Sequence, residues 1–188
     1  MAEDKLDIKI VNIVVASSLE HDIPLEKMAA TLSNTEYNPE QFPGLVIRIK
    51  EPKTSALIFS SGKIVCTGAK TLDEVRKCID KIIQSLEKIN VKITVVPVIT
   101  IQNIVASGAV GMDLNLNSLA MKLDNTEYEP EQFPGLVYKV KITKNTDKAF
   151  NATFLLFSNG KIVCTGTKSE QQVNIAVRQL IENLKKVK

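Results

Sequence analysis

The chain has 188 residues, 44% of them hydrophobic and 24% charged, with a formal net charge of +3. That balance suits an ordinary soluble globular protein and is too weakly basic to identify a polyanionic partner by charge alone. Three cysteines, at 66, 78 and 164, lack CxxC spacing. This argues against a disulfide framework or a zinc site and reads as small buried hydrophobes.

In chain order, the first ten residues (MAEDKLDIKI) have no basic segment ahead of an apolar run, so no secretory leader is expected. Residues 8–17 are β-branched and predict a strand. Residues 24–32 start at a proline and carry Leu25, Met28, Ala29 and Leu32 at helical spacing, a short helix. Leu45–Lys50, Ser55–Phe59 and Lys63–Thr67 read as short strands separated by EPKT and SSGK turns. A long helix is expected from about Leu72 to Ile89, with a stripe of Leu72, Val75, Ile79, Ile82, Ile83, Leu86 and Ile89. Thr71 and Glu74 form a capping box at its start. The apolar stretch Val91 to Val110 contains Lys92, Pro97, Gln102 and Asn103, too many interruptions for a membrane helix, and reads as two strands joined near the proline. An intracellular protein is the expectation.

The rest of the chain repeats what came before. NTEYNPEQFPGLV from Asn34 recurs as NTEYEPEQFPGLV from Asn125, and GKIVCTG from Gly62 recurs from Gly160. Asn12 matches Asn103, 91 residues on, whereas Gly62 matches Gly160, 98 residues on, so seven residues are inserted around Thr143–Ala149. Ser169 and Gln172 repeat the capping box, and Val173, Ala176, Val177, Leu180, Ile181 and Leu184 repeat the helix stripe. Two repeats are expected, at 1–94 and 95–188. Each is an α+β unit with an antiparallel sheet and helices on one face.

The other face of such a sheet is normally polar. Side chains alternate across strands. If Ile13, Ile58 and Ile64 face the helices, the exposed face carries Asn12, Val14, Leu57, Phe59, Val65 and Thr67. Its counterpart carries Asn103, Val105, Leu155, Phe157, Val163 and Thr165. A surface so apolar needs a partner. A second layer or self-association would cover it. The minor groove over A·T pairs would also fit, because it shows acceptors only and lacks the guanine amino group. Phe42 and Phe133 stand in the Gln-Phe-Pro-Gly turns beside this face, as wedges that open base steps would. Arg48 and Lys139, with Lys63 and Lys161, are the candidate phosphate contacts, and Lys50 and Lys141 lie two residues beyond the first pair.

The only histidine, His21, has no second ligand or nucleophile fixed near it, and no HExxH, GxSxG, P-loop or GxGxxG occurs. Neither catalysis, a cofactor nor a metal is expected. A single-stranded nucleic-acid platform explains the phenylalanines but not the Asn/Thr/Val floor, and a homodimer through the apolar face stays open.

Four motifs recur in order: Asn-Ile-Val near each repeat start, EYxPEQFPGLV, the ALIFSSGK strand and turn, and KIVxTG. Over about Ile10 to Lys185 they resemble the core of the TATA-box-binding protein family, in its archaeal form. The resemblance implies a pseudo-two-fold saddle, a curved antiparallel sheet of about ten strands with four helices on the convex face. It implies a general transcription initiation factor that binds the minor groove of A·T-rich TATA-box DNA. Phe42, Phe59, Phe133 and Phe157 would be the bending wedges. Asn12, Asn103, Thr67 and Thr165 would hydrogen-bond near the centre, and Val14, Val65, Val105, Val163, Leu57 and Leu155 would pack on the groove floor. It further implies that Glu127, Glu129 and Glu131 bind a B-type initiation factor, which brings RNA polymerase indirectly. No membrane partner is implied. Cytoplasmic, nucleoid-associated localisation is expected (nuclear in a eukaryotic source), as is weak self-association through the concave face without DNA.

Overall fold

The computed structural model describes residues 7–187. Residues 1–6 of the stretch read for a leader therefore lie outside the described residues. The chain divides into two compact units, Asn12–Gln102 and a second that joins the described residues up to Val11 with those from Asn103 onward. Ten strands and four helices are present among the described residues.

The first half runs β1 (Ile8–Ser18), α1 (Leu25–Thr31), β2 (Thr35–Glu36), β3 (Leu45–Ile49), β4 (Thr54–Ile58), β5 (Lys63–Ala69) and α2 (Leu72–Glu87). The second runs β6 (Thr100–Ala109), α3 (Leu116–Lys122), β7 (Thr126–Glu127), β8 (Leu136–Ile142), β9 (Phe150–Leu156), β10 (Lys161–Thr167) and α4 (Glu170–Lys186). Strand order is β2-β3-β4-β5-β1 in one half and β6-β10-β9-β8-β7 in the other. Within each half the pairings are antiparallel.

Alternation sorts the side chains as the sequence predicts. Ile13, Val15, Ile58, Ile64 and Cys66 are buried, and so are Ile104, Ala106, Phe154, Leu156, Ile162 and Cys164 in the second half. α2 packs on β5, and α4 on β10 and β8. α2 buries Val75, Cys78, Ile79, Ile82 and Leu86. α4 buries Val173, Ala176, Val177, Leu180 and Leu184. Leu72, expected in the stripe, is exposed at the first turn, and Cys78 takes a place in the buried set. The predicted caps form: Thr71 accepts the Glu74 N–H and Ser169 accepts that of Gln172. The carboxylate of Glu74 and the amide oxygen of Gln172 reach back to the N–H groups of Lys70 and Lys168.

Three expectations change. The long helix ends at Glu87 rather than Ile89, because Ile89 and Val91 turn back to bond the Leu86 carbonyl. The stretch 91–110 holds one strand, not two, since 91–99 lies outside any strand and Pro97 has no N–H to offer a ladder. The two-residue strands β2 and β7, too short to show a period, were not anticipated. The seven-residue insertion falls between β8 and β9 and lengthens that hairpin.

All three cysteines are buried. The Cys66 thiol donates to Cys78 Sγ at 2.9 Å. That bond, then burial, raises the pKa of Cys66, and burial pushes Cys164 up to about 12. At pH 8 neither presents thiolate, the reactive form, and Cys78, whose pKa the bond from Cys66 lowers, is shielded by complete burial. The native protein is therefore expected to resist iodoacetamide at pH 8 and to take up three equivalents once unfolded in guanidinium, counted by mass spectrometry. Rapid native labelling would contradict the packing described.

Candidate nucleic-acid interface

Each unit presents on its helix-free face one set of half-buried side chains, built by strand register. In the unit Asn12–Gln102, Val46 lies opposite Leu57, Leu57 opposite Val65, and Val65 opposite Ala16. In an antiparallel sheet residues directly opposite share a face, so these four form an apolar row. The next row is Arg48, Ser55 and Thr67. In the other unit the rows are Val137, Leu155, Val163 and Ser107, then Lys139, Thr153 and Thr165. Val14 and Val105 are half-buried on the same parity. Val46, Val137, Ser55, Thr153, Ala16 and Ser107 escaped the sequence reading. The signal for the first two was present: they precede Arg48 and Lys139 by two residues.

Beside the second row, each ladder carries a bulge. β1 advances from Ile13 to Val15 while β5 advances from Ala69 to Cys66. Thr67 and Gly68 thus lie opposite a single residue. Gly68 has φ +94°, and a Cβ there would lie 3.1 Å from the Lys53 carbonyl oxygen. The bulge turns the Gly68 N–H toward Asn12, whose Oδ1 accepts it at 2.7 Å. That bond fixes the amide, with Nδ2 donating to Thr67 Oγ1 at 3.1 Å. The copy is faithful: Gly166 N–H donates to Asn103 Oδ1 at 2.9 Å, and Asn103 Nδ2 to Thr165 Oγ1 at 2.9 Å. In each unit the asparagine Nδ2 makes one such bond and has a second hydrogen to donate.

The phenylalanines pair within each unit. Phe42 and Phe59 meet edge to face with centroids 6.0 Å apart, and so do Phe133 and Phe157. Phe42 and Phe133 remain 43% and 42% exposed, an unusual state for so large an apolar ring. The tight turns ahead of them are closed by the Asn38 and Glu129 carbonyls, which accept the N–H groups of Phe42 and Phe133. Gly44 and Gly135 make room for the rings: a Cβ would lie 2.7 Å from Phe42 Cε1 or 2.6 Å from Phe133 Cε1.

The charged candidates divide. Arg48 pairs with Glu36 at 3.0 Å and Lys139 with Glu127 at 2.8 Å, both on the exposed surface. The hydrogen bond and charge of Glu36 raise the pKa of Arg48 further above its already high value. Lys63 and Lys161 are exposed and have no ion-pair partner among the described residues. Glu129 and Glu131 are exposed in the turn that leads to Phe133. His21 is a turn residue. Its Nδ1 lies 2.7 Å from the Asp22 carbonyl oxygen. Its own carbonyl oxygen sits where a Cβ on Gly62 would come within 2.3 Å. Among the described residues no three His, Cys, Asp or Glu side chains cluster as metal ligands.

A family profile described as "Transcription factor TFIID (or TATA-binding protein, TBP)" matches residues 7–89 and again 98–187. The chain belongs to the TATA-box-binding protein family. The TATA-box-binding protein of Thermococcus kodakarensis is 48% identical over 179 residues, covering 95% of this chain and 90% of that protein. That of Picrophilus torridus is 50% identical over 182 residues, 96% of this chain and 95% of that protein. A solved structure titled Methanococcus jannaschii TBP superposes with a TM-score of 0.84 at 44% identity, covering 96% of this chain and 99% of that one. The TATA-box-binding protein family is one of transcription factors, not enzymes, and its twice-matched profile agrees with the internal repeat. No described helix is long and apolar enough to cross a membrane.

The clearance at Gly135 is testable within the folded chain. Gly135→Ala is expected to push the Phe133 ring off Phe157, abolishing the ring-to-ring NOE. Stability should fall by about 1 kcal/mol, the worth of such an aromatic pair. An unchanged NOE would show that the glycine is not what seats the ring.

Proposed function

We propose that this protein is a general transcription initiation factor that binds the minor groove of A·T-rich TATA-box promoter DNA and bends it. In this reading the repeats 1–94 and 95–188 each supply half of the binding surface. The observation that carries it is the duplicated donor set: Asn12 with Thr67, and Asn103 with Thr165, each oriented by a bulge N–H and set among valines and leucines. The floor of an A·T minor groove offers acceptors without the guanine amino group, so sparse donors among apolar side chains match it. Charge offers little by itself, and the names of the relatives, TATA-box-binding proteins, add independent support for a TATA-box ligand.

Roles follow from chemistry. Val14, Leu57, Val65, Val105, Leu155 and Val163 pack on the groove floor. The pairs Phe42/Phe59 and Phe133/Phe157 open base steps; minor-groove architectural proteins, this family among them, drive apolar side chains between bases in this way. Arg48, Lys63, Lys139 and Lys161 meet phosphates. Glu129 and Glu131, with Glu127, present carboxylates to a B-type initiation factor, through which RNA polymerase is brought. Because Glu127 also holds Lys139, its two roles compete.

Fluorescence-bending titrations on A·T-rich and G·C-rich duplexes test the central reading. Selective binding with bending is expected, and equal affinity for both duplexes would overturn it. Replacing Phe133 and Phe157 by alanine should reduce bending more than Lys139→Ala does.

The ion pairs make a separate prediction. An exposed carboxylate 3.0 Å from Arg48 competes with phosphate for that guanidinium. Glu36→Gln should therefore tighten DNA binding a few-fold at low salt, with the gain shrinking as salt rises. Lys63→Ala, which removes an unpaired cation, should lower the slope of log affinity against log salt by about 1. A Glu36→Gln variant that binds more weakly at low salt would place Arg48 away from the phosphates.

A further inference from the structure

The two half-sites are near copies, yet promoter DNA has a direction. Aligning their rows leaves four differences. Arg48 matches Lys139 and Ser55 matches Thr153, so a cation replaces a cation and a hydroxyl a hydroxyl. Ser18 lies opposite Lys63, where Ala109 lies opposite Lys161, but this pair stands two residues beyond the floor row, against an exposed lysine. The fourth difference is Ala16 opposite Val65 against Ser107 opposite Val163. It alone places a hydrogen-bonding group on one floor row and none on the other.

Ser107 is half-buried at the end of the row Val137, Leu155 and Val163. Its hydroxyl has no hydrogen bond among the described residues. A polar group held on an apolar surface without a partner is costly once a ligand excludes water, unless the ligand bonds it. Serine Oγ can donate to adenine N3 or thymine O2, and it can also accept from the guanine amino group. The Ala16 methyl can do neither, and would lie against a guanine amino group left without an acceptor.

We infer that Ser107 is a specificity-determining residue that sets the direction of binding. The second repeat accepts a G·C pair in its half of the site, and the first repeat, with Ala16, rejects one. This rests on the minor-groove reading above. A DNA site with a single G·C pair in one half is then bound with the second repeat over that half.

The test uses the full chain labelled at Lys144→Cys in the exposed turn of the second repeat, with an acceptor dye at one or the other duplex end. The duplexes are an A·T-rich site and the same site with one G·C pair, stepped through the positions of one half. The wild type is expected to favour the orientation that puts the second repeat over the G·C half by roughly fivefold, the scale of one neutral hydrogen bond. Ser107→Ala should bring the ratio to about one, and the double variant Ala16→Ser with Ser107→Ala should reverse it. Ala16→Ser alone should also level the ratio, by raising affinity in the disfavoured orientation, so the inference does not hang on one variant's folding. Equal orientations of the wild type at every G·C position, or a preference that survives Ser107→Ala, would overturn it. Absence of binding to the A·T-rich site would instead overturn the minor-groove reading.

Discussion

Strict alternation of side chains across antiparallel strands is the constraint on which the rest depends. Each strand feeds two surfaces at once, and a shift of one residue would exchange them. In β5, Ile64 and Cys66 are buried on the α2 side, so Val65 and Thr67 must face the other way. The helix stripe therefore determines the helix-free face as well as the core. Val75, Cys78, Ile79, Ile82 and Leu86 hold β5 in one register, and that register keeps Val65 in line with Leu57 and Val46.

The bulges interrupt this alternation where the chemistry needs it. A regular ladder would spend every backbone N–H on a neighbouring strand. By setting Thr67 and Gly68 against one residue of β1, the bulge releases one N–H to the Asn12 side chain. An exposed amide would otherwise rotate freely and present oxygen as readily as nitrogen. Holding Oδ1 leaves Nδ2 as the outward group, so the donor character of the site is set before any ligand arrives. Gly166 and Asn103 repeat the device, which makes a chance arrangement an inadequate explanation.

Aromatic and charged groups sit at the margins of the same design. The Phe42/Phe59 and Phe133/Phe157 pairs are ordered by edge-to-face contact and by the space at Gly44 and Gly135, yet two of the four rings stay partly open to water. Such rings keep apolar area accessible at the surface. Arg48 and Lys139 are held by carboxylates on the adjacent short strands, which orients them and also tempers their attraction for anions. Salt thus acts on the free protein as well as on any complex, because it screens the internal pairs too.

The repeat, the helices and the parity of each strand can be read from the sequence with no coordinates. These follow from local periodicity and near-identity, as at NTEYNPEQFPGLV and KIVCT, and they sufficed to pick out Asn12, Thr67, Leu57, Phe59 and Val65 as one face. It did not reveal β2 or β7, whose two residues carry no period, nor the nine residues 91–99 that run outside any strand despite β-branched content. Which residues lie side by side emerges from the folded sheet. Register placed Val46 and Ala16 in one apolar row, and Val137 and Ser107 in the corresponding row of the other unit. The bulge joined Gly68 to Asn12 across 56 positions of chain. Ion pairing tied Arg48 to Glu36, a carboxylate on the neighbouring strand. The physical reason is the range of the interactions. Periodicity records which side of a strand a residue takes, whereas partners across a ladder are chosen by the packing of the whole sheet.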